Sequence, residues 1–157
     1  MNRSQKKKNQ IINSKIEQRD WVRVQGVVYK NNKKYKVVIE NKKPELETAN
    51  WLANELGEKV FINPRVDYPL NIKTADFMFR NKKWELKTSA RTSDFIIIDK
   101  IKQGNGQAQN FIVDIRKSNV TSDSVLKQIE SIYSDKGLNW VNHIIVRFNN
   151  GYKIFKR

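Results

Sequence analysis

The chain has no cysteine, which excludes disulfides, thiol catalysis and every cysteine-based zinc site. Histidine is nearly absent. His143 is the single one, and it opens an apolar run with no partner pattern nearby, so a structural role is expected and acid–base chemistry falls to other side chains. A transition-metal site therefore has no ligand set, although an all-oxygen Mg²⁺ site built from carboxylates stays open. No apolar run approaches the roughly 18 residues that cross a bilayer. The basic N-terminus is not followed by the apolar stretch of a secretory signal. Cytoplasmic action without a membrane partner is the expectation.

Acidic residues are also few: 16 against 31 lysines and arginines, for a formal net charge of +15. An Asn- and Lys-rich composition accounts for part of that excess, but the imbalance is too large for composition alone. Such a field favours polyanions, and nucleic acid is the commonest one a soluble domain meets. At 157 residues with 38% hydrophobic content, the chain suits one globular domain with a real core. Residues 1–20 are polar and basic with three isoleucines as the only anchors, and read as a linker or marginal helix. Residues 21–157 form the domain.

The organising stretch is 74–89. Read with a period of two it is a β-hairpin with its turn at Asn81-Lys82-Lys83. Ala75, Phe77 and Phe79 share one face of the first strand, and Trp84, Leu86 and Thr88 one face of the second. Asp76, Glu85 and Lys87 fall on the opposite faces. Before it, residues 22–40 read as a separate hairpin around Asn31-Asn32. Pro44-Glu45 opens a helix that Gly57 ends, with Leu46, Ala49, Leu52, Ala53 and Leu56 as its core stripe. Residues 59–62 are a strand, and 63–73, with Pro64 and Pro69, a loop.

After the central hairpin, Ser93-Asp94 caps a helix through Lys102 that stops at Gly104-Asn105-Gly106. Residues 111–115 are a buried central strand. Thr121-Ser122 caps a helix with Val125, Ile129 and Ile132 inward, and a hairpin with an Asn150-Gly151 turn closes the chain. The order ββ-α-β-β-β-α-β-α-β-β indicates an α+β domain: a twisted, mostly antiparallel sheet with helices packed on it.

Two constellations carry possible chemistry. Glu47, Asp76, Glu85 and Lys87 place an Asp nine residues before Glu-x-Lys on the next strand, behind a helical Glu. This resembles the PD-(D/E)XK nucleases, in which the acids bind Mg²⁺ and the lysine orients or activates the attacking water, with Gln107 or Gln109 in an auxiliary role. The Pro before the Asp is missing here. The second constellation is Lys87, Thr88, Ser89 and Arg91, facing the Lys102–Gln107 segment. Cations beside hydroxyls suit metal-free RNA cleavage, in which the 2′-hydroxyl attacks its own phosphate and the protein stabilises the extra charge. A solvated basic loop carrying no chemistry is the bland alternative for each residue.

The run Glu47-Thr48-Ala49, Leu52, Gly57, Val60, Pro64, then Ala75-Asp76-Phe77, Trp84-Glu85-Leu86-Lys87, Lys100-Ile101-Lys102, Gln107-Ala108, and the 111–115 strand resembles the barnase/EndoU/colicin/RelE-like (BECR) nucleases. It is most similar to the C-terminal tRNase toxin domains of contact-dependent inhibition proteins and to related modules of phages and mobile elements. The resemblance covers residues 45–157 and leaves the 22–40 hairpin outside. It implies helices on one side of the sheet and metal-independent cleavage of tRNA to a 2′,3′-cyclic phosphate. It also implies delivery as the C-terminal part of a larger protein and an acidic immunity or antitoxin partner.

On this reading Lys87 and Arg91 stabilise the phosphate, Thr88 or Ser89 orients it, Gln107 hydrogen-bonds it, and Glu85 is the candidate base. Lys73, Lys100, Lys102 and Lys153 are candidates for docking the RNA backbone. No cofactor is needed. The alternatives are a Mg²⁺-dependent nuclease using Glu47, Asp76 and Glu85 as ligands, and a non-catalytic nucleic-acid-binding accessory protein.

Overall fold

The computed structural model describes residues 26–30, 33–38, 43–68 and 73–157. The expected basic linker at 1–20 lies outside the described residues. The chain divides into two compact units, one ending at Lys83 and the other beginning at Trp84.

In the first unit β1 (Gly26–Lys30) and β2 (Lys33–Val38) pair antiparallel, as the early hairpin reading expects. The segment read as a loop carries a third strand instead. β4 (Arg65–Tyr68) adds to β2 antiparallel. Pro64 precedes this strand rather than interrupting it, and four residues are too few to show a period when the partner is remote in sequence. Helix α1 (Lys43–Glu55) has Pro44 and Glu45 in its first turn, where a missing N–H costs nothing and an acid meets the positive helix end. Gly57, at φ +65°, takes the left-handed turn that ends it. Its buried stripe is narrower than expected: Thr48, Ala49 and Leu52 are buried, whereas Leu46 and Ala53 are exposed.

Short strand β3 (Phe61–Ile62) pairs antiparallel with β5 (Phe77–Phe79), and Asn63 extends the pair through Asp76 O and Ala75 O. The turn that follows is Arg80-Asn81, not 81–83. Both residues have positive φ (51° and 60°), the signature of a tight two-residue hairpin turn. Arg80 is ion-paired to Glu58.

The second unit begins within β6 (Lys82–Thr88). It continues through α2 (Ile96–Gln103), β7 (Asn110–Asp114), α3 (Ser122–Ser134), β8 (His143–Phe148) and β9 (Gly151–Lys156). Strand β7 pairs parallel with β6 and with β8, and β9 returns antiparallel on β8 around Asn149-Asn150. The α+β class holds and antiparallel pairs are the majority, but the two parallel pairs are not what a string of hairpins predicts. Each joins strands separated by a helix, and a helical crossover lets the chain re-enter in the same direction.

Parallel neighbours in register share a face. Glu85 and Lys87 therefore lie beside Phe111 and Val113, which lie beside Ile144 and Val146. That face receives both helices. Ile96, Ile97 and Ile101 of α2 and Val125, Ile129 and Ile132 of α3 join Phe111, Val113, Ile144 and Val146 in one core cluster. Each such fully buried side chain contributes about 1.5–3 kcal/mol.

The start of α2 corrects the expected cap. Ser93 Oγ accepts from Phe95 N and Asp94 accepts from the Ser124 hydroxyl, so neither side chain serves the helix interior. Gln128, buried on α3, does so from across the core: its Oε1 accepts from Ile97 N at 2.8 Å, and its Nε2 donates to Ser124 Oγ and Ser93 O. Thr121 caps α3 as expected, accepting from Ser124 N.

At the end of β7, Asp114 accepts from Arg116 Nε and Nη2 (2.9 and 2.7 Å), with Arg147 Nη1 at 3.9 Å. Burial alone would raise the Asp114 pKa. The hydrogen bonds and charge of Arg116, with the charge of Arg147 added, outweigh it and hold the carboxyl below its usual value. A depressed folded pKa gives stability that is full above the unfolded value near 3.9 and is lost as pH falls through the folded one. Asp114→Asn is therefore expected to cost roughly 1–3 kcal/mol at neutral pH. It should also flatten the dependence of melting temperature on pH between about 5 and 3; an unchanged slope in thermal melts would reject this role.

Candidate active site

Strand β6 runs straight into the residues singled out for chemistry. Ser89 N donates to Asp114 O, extending the ladder, so Glu85, Lys87 and Ser89 follow one another along the helix-bearing face. This face is not the solvated one that the alternation of β6 indicates. Glu85 is 4% exposed and Lys87 half-buried, the latter with the turn after α2 passing beside its stem.

That turn delivers Gln107. Gly104 N donates to Ile101 O and Gln107 N to Gly104 O, so the chain reverses at the end of α2. Gln107 Oε1 then accepts from the Lys87 ammonium at 3.1 Å. The chain can pass so closely only because residue 104 has no side chain. A Cβ there would stand 2.4 Å from the Phe111 ring and 3.2 Å from Lys87 Cε.

Beyond Ser89 the surface opens into a cleft of about 460 Å³ lined by Ser89, Arg91, Ile96, Asp99, Lys100, Lys102 and Gln103. Ser89 Oγ accepts from Arg91 N at 3.1 Å, and the Arg91 guanidinium is paired with Asp99 at 2.9 Å. Three cations against one carboxylate leave the lining net positive, suited to a phosphate-bearing ligand.

The structure thus brings Lys87 to Gln107, and gathers Ser89, Arg91, Lys100 and Lys102 around one cleft. It does not bring Thr88 with them: Thr88 lies beside Asp114, on the face opposite Lys87. Lys153 is exposed on β9, outside the cleft lining. Glu47, Asp76 and Lys73 belong to the first unit, Glu47 and Lys73 exposed and Asp76 half-buried. His143 serves structure: its Nδ1 is 3.0 Å from Asn110 Oδ1 and its ring packs on Trp84.

Sequence reasoning missed Asp99, Gln103, Gly104 and Gln128. The helical stripe 95–99–102 was a usable signal for the first. Gly104 resembles any helix stop, and the reach of Gln128 to another helix leaves no local trace.

The contact-dependent growth inhibition CdiA C-terminal domain family matches residues 73–152, 80 of the 157. The chain belongs to that family. A solved structure agrees, titled as a CdiA-CT/CdiI toxin and immunity complex from Burkholderia pseudomallei. It is 25% identical with a TM-score of 0.56, over 73% of this chain and 83% of that one. No curated protein matches. Membership makes this a C-terminal toxin domain with a function of the toxic nuclease kind, one part of a larger protein by the family's own description. Among the described residues no helix is long and apolar enough to cross a membrane.

Proposed function

We propose that this toxin domain is a ribonuclease that cuts tRNA, with the phosphodiester bound at Lys87 and the adjoining cleft. The observation that carries this is the Lys87–Gln107 hydrogen bond. It holds an ammonium in one place on a partly buried strand face, where a fixed charge stabilises a developing oxyanion without reorganisation. The charge of +15 supplies salt-dependent docking on the RNA backbone.

The 4% exposure of Glu85 favours metal-assisted hydrolysis over its use as a general base. A base must come within hydrogen-bond reach of the ribose 2′-hydroxyl, and a carboxylate this deep meets a small cation more readily than a sugar. Among the described residues no three acids or histidines form a ready-made cage. Mg²⁺ in such enzymes is commonly held by one or two carboxylates together with the substrate's own phosphates, so the donor chemistry of Glu85 fits that ion. When bound, it would polarise the phosphoryl oxygen and acidify water. Lys87, two residues along the same face, supplies the charge that faces the phosphate, and Gln107 keeps it aimed. Metal-free transesterification is the second reading, favoured by the grouping of Ser89, Arg91 and Lys102 around the cleft.

EDTA separates the two. Purified domain incubated with total RNA and, in parallel, plasmid DNA is expected to cleave the tRNA fraction with Mg²⁺ and to stop in chelator. Cleavage that persists in chelator and leaves 2′,3′-cyclic ends would give the site to the second reading. The toxin–immunity neighbour supports a further part of the proposal: an acidic immunity protein that neutralises the domain by covering the basic cleft.

A further inference from the structure

Phe95 is 65% exposed, the most exposed of the large hydrophobic side chains among the described residues. It sits at the N-cap of α2 with its backbone fixed on both sides: its N–H donates to Ser93 Oγ and its carbonyl accepts from Asp99 N. The side chain does nothing for the core, which α2 reaches through Ile96, Ile97 and Ile101. Helical spacing places Phe95 on the same stripe as Asp99 and Lys102. Asp99 and Lys102 line the cleft, with Arg91 clamped to Asp99. An exposed aromatic on a backbone held from both sides thus stands one helical turn from a net-positive cleft.

We infer that Phe95 is a stacking platform for an unpaired base of the RNA, the nucleotide's phosphate lying over Arg91 and Lys102. This rests on the nuclease reading and adds to it a requirement for single-stranded substrate at the cleft. The chemistry is specific in one respect and tolerant in another. Every base has a π-face, so stacking selects no sequence, but only an unpaired base can leave its helix to reach the ring. The cations alone would hold duplex and single strand alike. An aromatic beside them discriminates in favour of a loop or an end.

The test compares wild type, Phe95→Ala and Phe95→Trp for binding to a single-stranded 2′-O-methyl RNA oligonucleotide and to the same sequence as a duplex, in EDTA, so that neither route of cleavage can turn over. Phe95→Ala is expected to weaken single-strand binding by about 5- to 100-fold and to leave duplex binding within about 2-fold. Phe95→Trp should bind the single strand as wild type does and show indole quenching with it but not with the duplex. Equal single-strand affinity for Phe95→Ala and wild type overturns the inference, as does equal loss on both substrates. A wild-type domain that cleaves tRNA while Phe95→Ala binds normally defeats the stacking role alone. A wild-type domain that neither binds nor cleaves RNA defeats the nuclease reading beneath it.

Discussion

Lys87→Met is expected to lower the rate of RNA cleavage by about 10²–10³-fold while the melting temperature stays within a few degrees of wild type. Methionine is chosen because Lys87 does two things. Its stem packs beside the chain at Gly104, and its ammonium donates to Gln107. A linear apolar side chain of similar length keeps the first and removes the second. The loss should appear in kcat more than in KM, because a charge aimed at the phosphate acts most strongly as negative charge builds in the transition state. Gln107→Ala should cost less, since the ammonium remains but is no longer aimed. Initial rates on a tRNA pool, with circular dichroism melts, read both effects. A Lys87→Met domain that cleaves within about 3-fold of wild type would take Lys87 out of the chemistry, whereas a wild-type domain with no cleavage to lose would favour the non-catalytic nucleic-acid-binding alternative.

Local rules carried much of the fold. Pro44 and Gly57 mark α1, Thr121 caps α3, and the apolar run from Phe111 is the central strand of the second unit because each pattern is complete within a few residues. What stayed hidden depends on partners far along the chain. Arg65–Tyr68 becomes a strand only because β2 offers it an edge, and β6, β7 and β8 run parallel because helices bring the chain back. The site divides in the same way. Lys87 and Gln107 were legible as residues that chemistry could use, and the turn after α2 unites them. The alternation along β6 put Glu85 and Lys87 together on one face but read that face as solvated; the register sets it beside Phe111 and Val113 on the helix-bearing side, where Glu85 is buried. Its burial, which turns the argument about general base against metal ligand, is a tertiary fact.

Gly104→Ala, one methyl group, is expected to destabilise the domain by roughly 1–3 kcal/mol. In a chain this size that lowers the melting temperature by about 2–10 °C. Backbone preference argues the other way. Gly104 sits at φ −88°, open to any residue, and replacing a glycine in such a conformation normally stabilises by about 0.4–1 kcal/mol through the unfolded state. Packing overrides that gain. The new Cβ would stand 2.4 Å from Phe111 Cε1 and 3.1 Å from Cζ. Phe111 is fully buried between two strands and two helices and has no room to withdraw. Relief must come from the turn lifting away, which pulls Gln107 from Lys87, so cleavage should fall along with stability. Phe111→Leu supplies the control. On its own it loses core contact, but in the Gly104→Ala background it vacates the space the methyl group needs, so the double variant should be more stable than the two single losses sum to. Chemical denaturation of the four proteins measures that coupling. A Gly104→Ala domain as stable as wild type would mean that the turn has slack, and that Gln107 is not held on Lys87 by the close approach of Gly104 to β7.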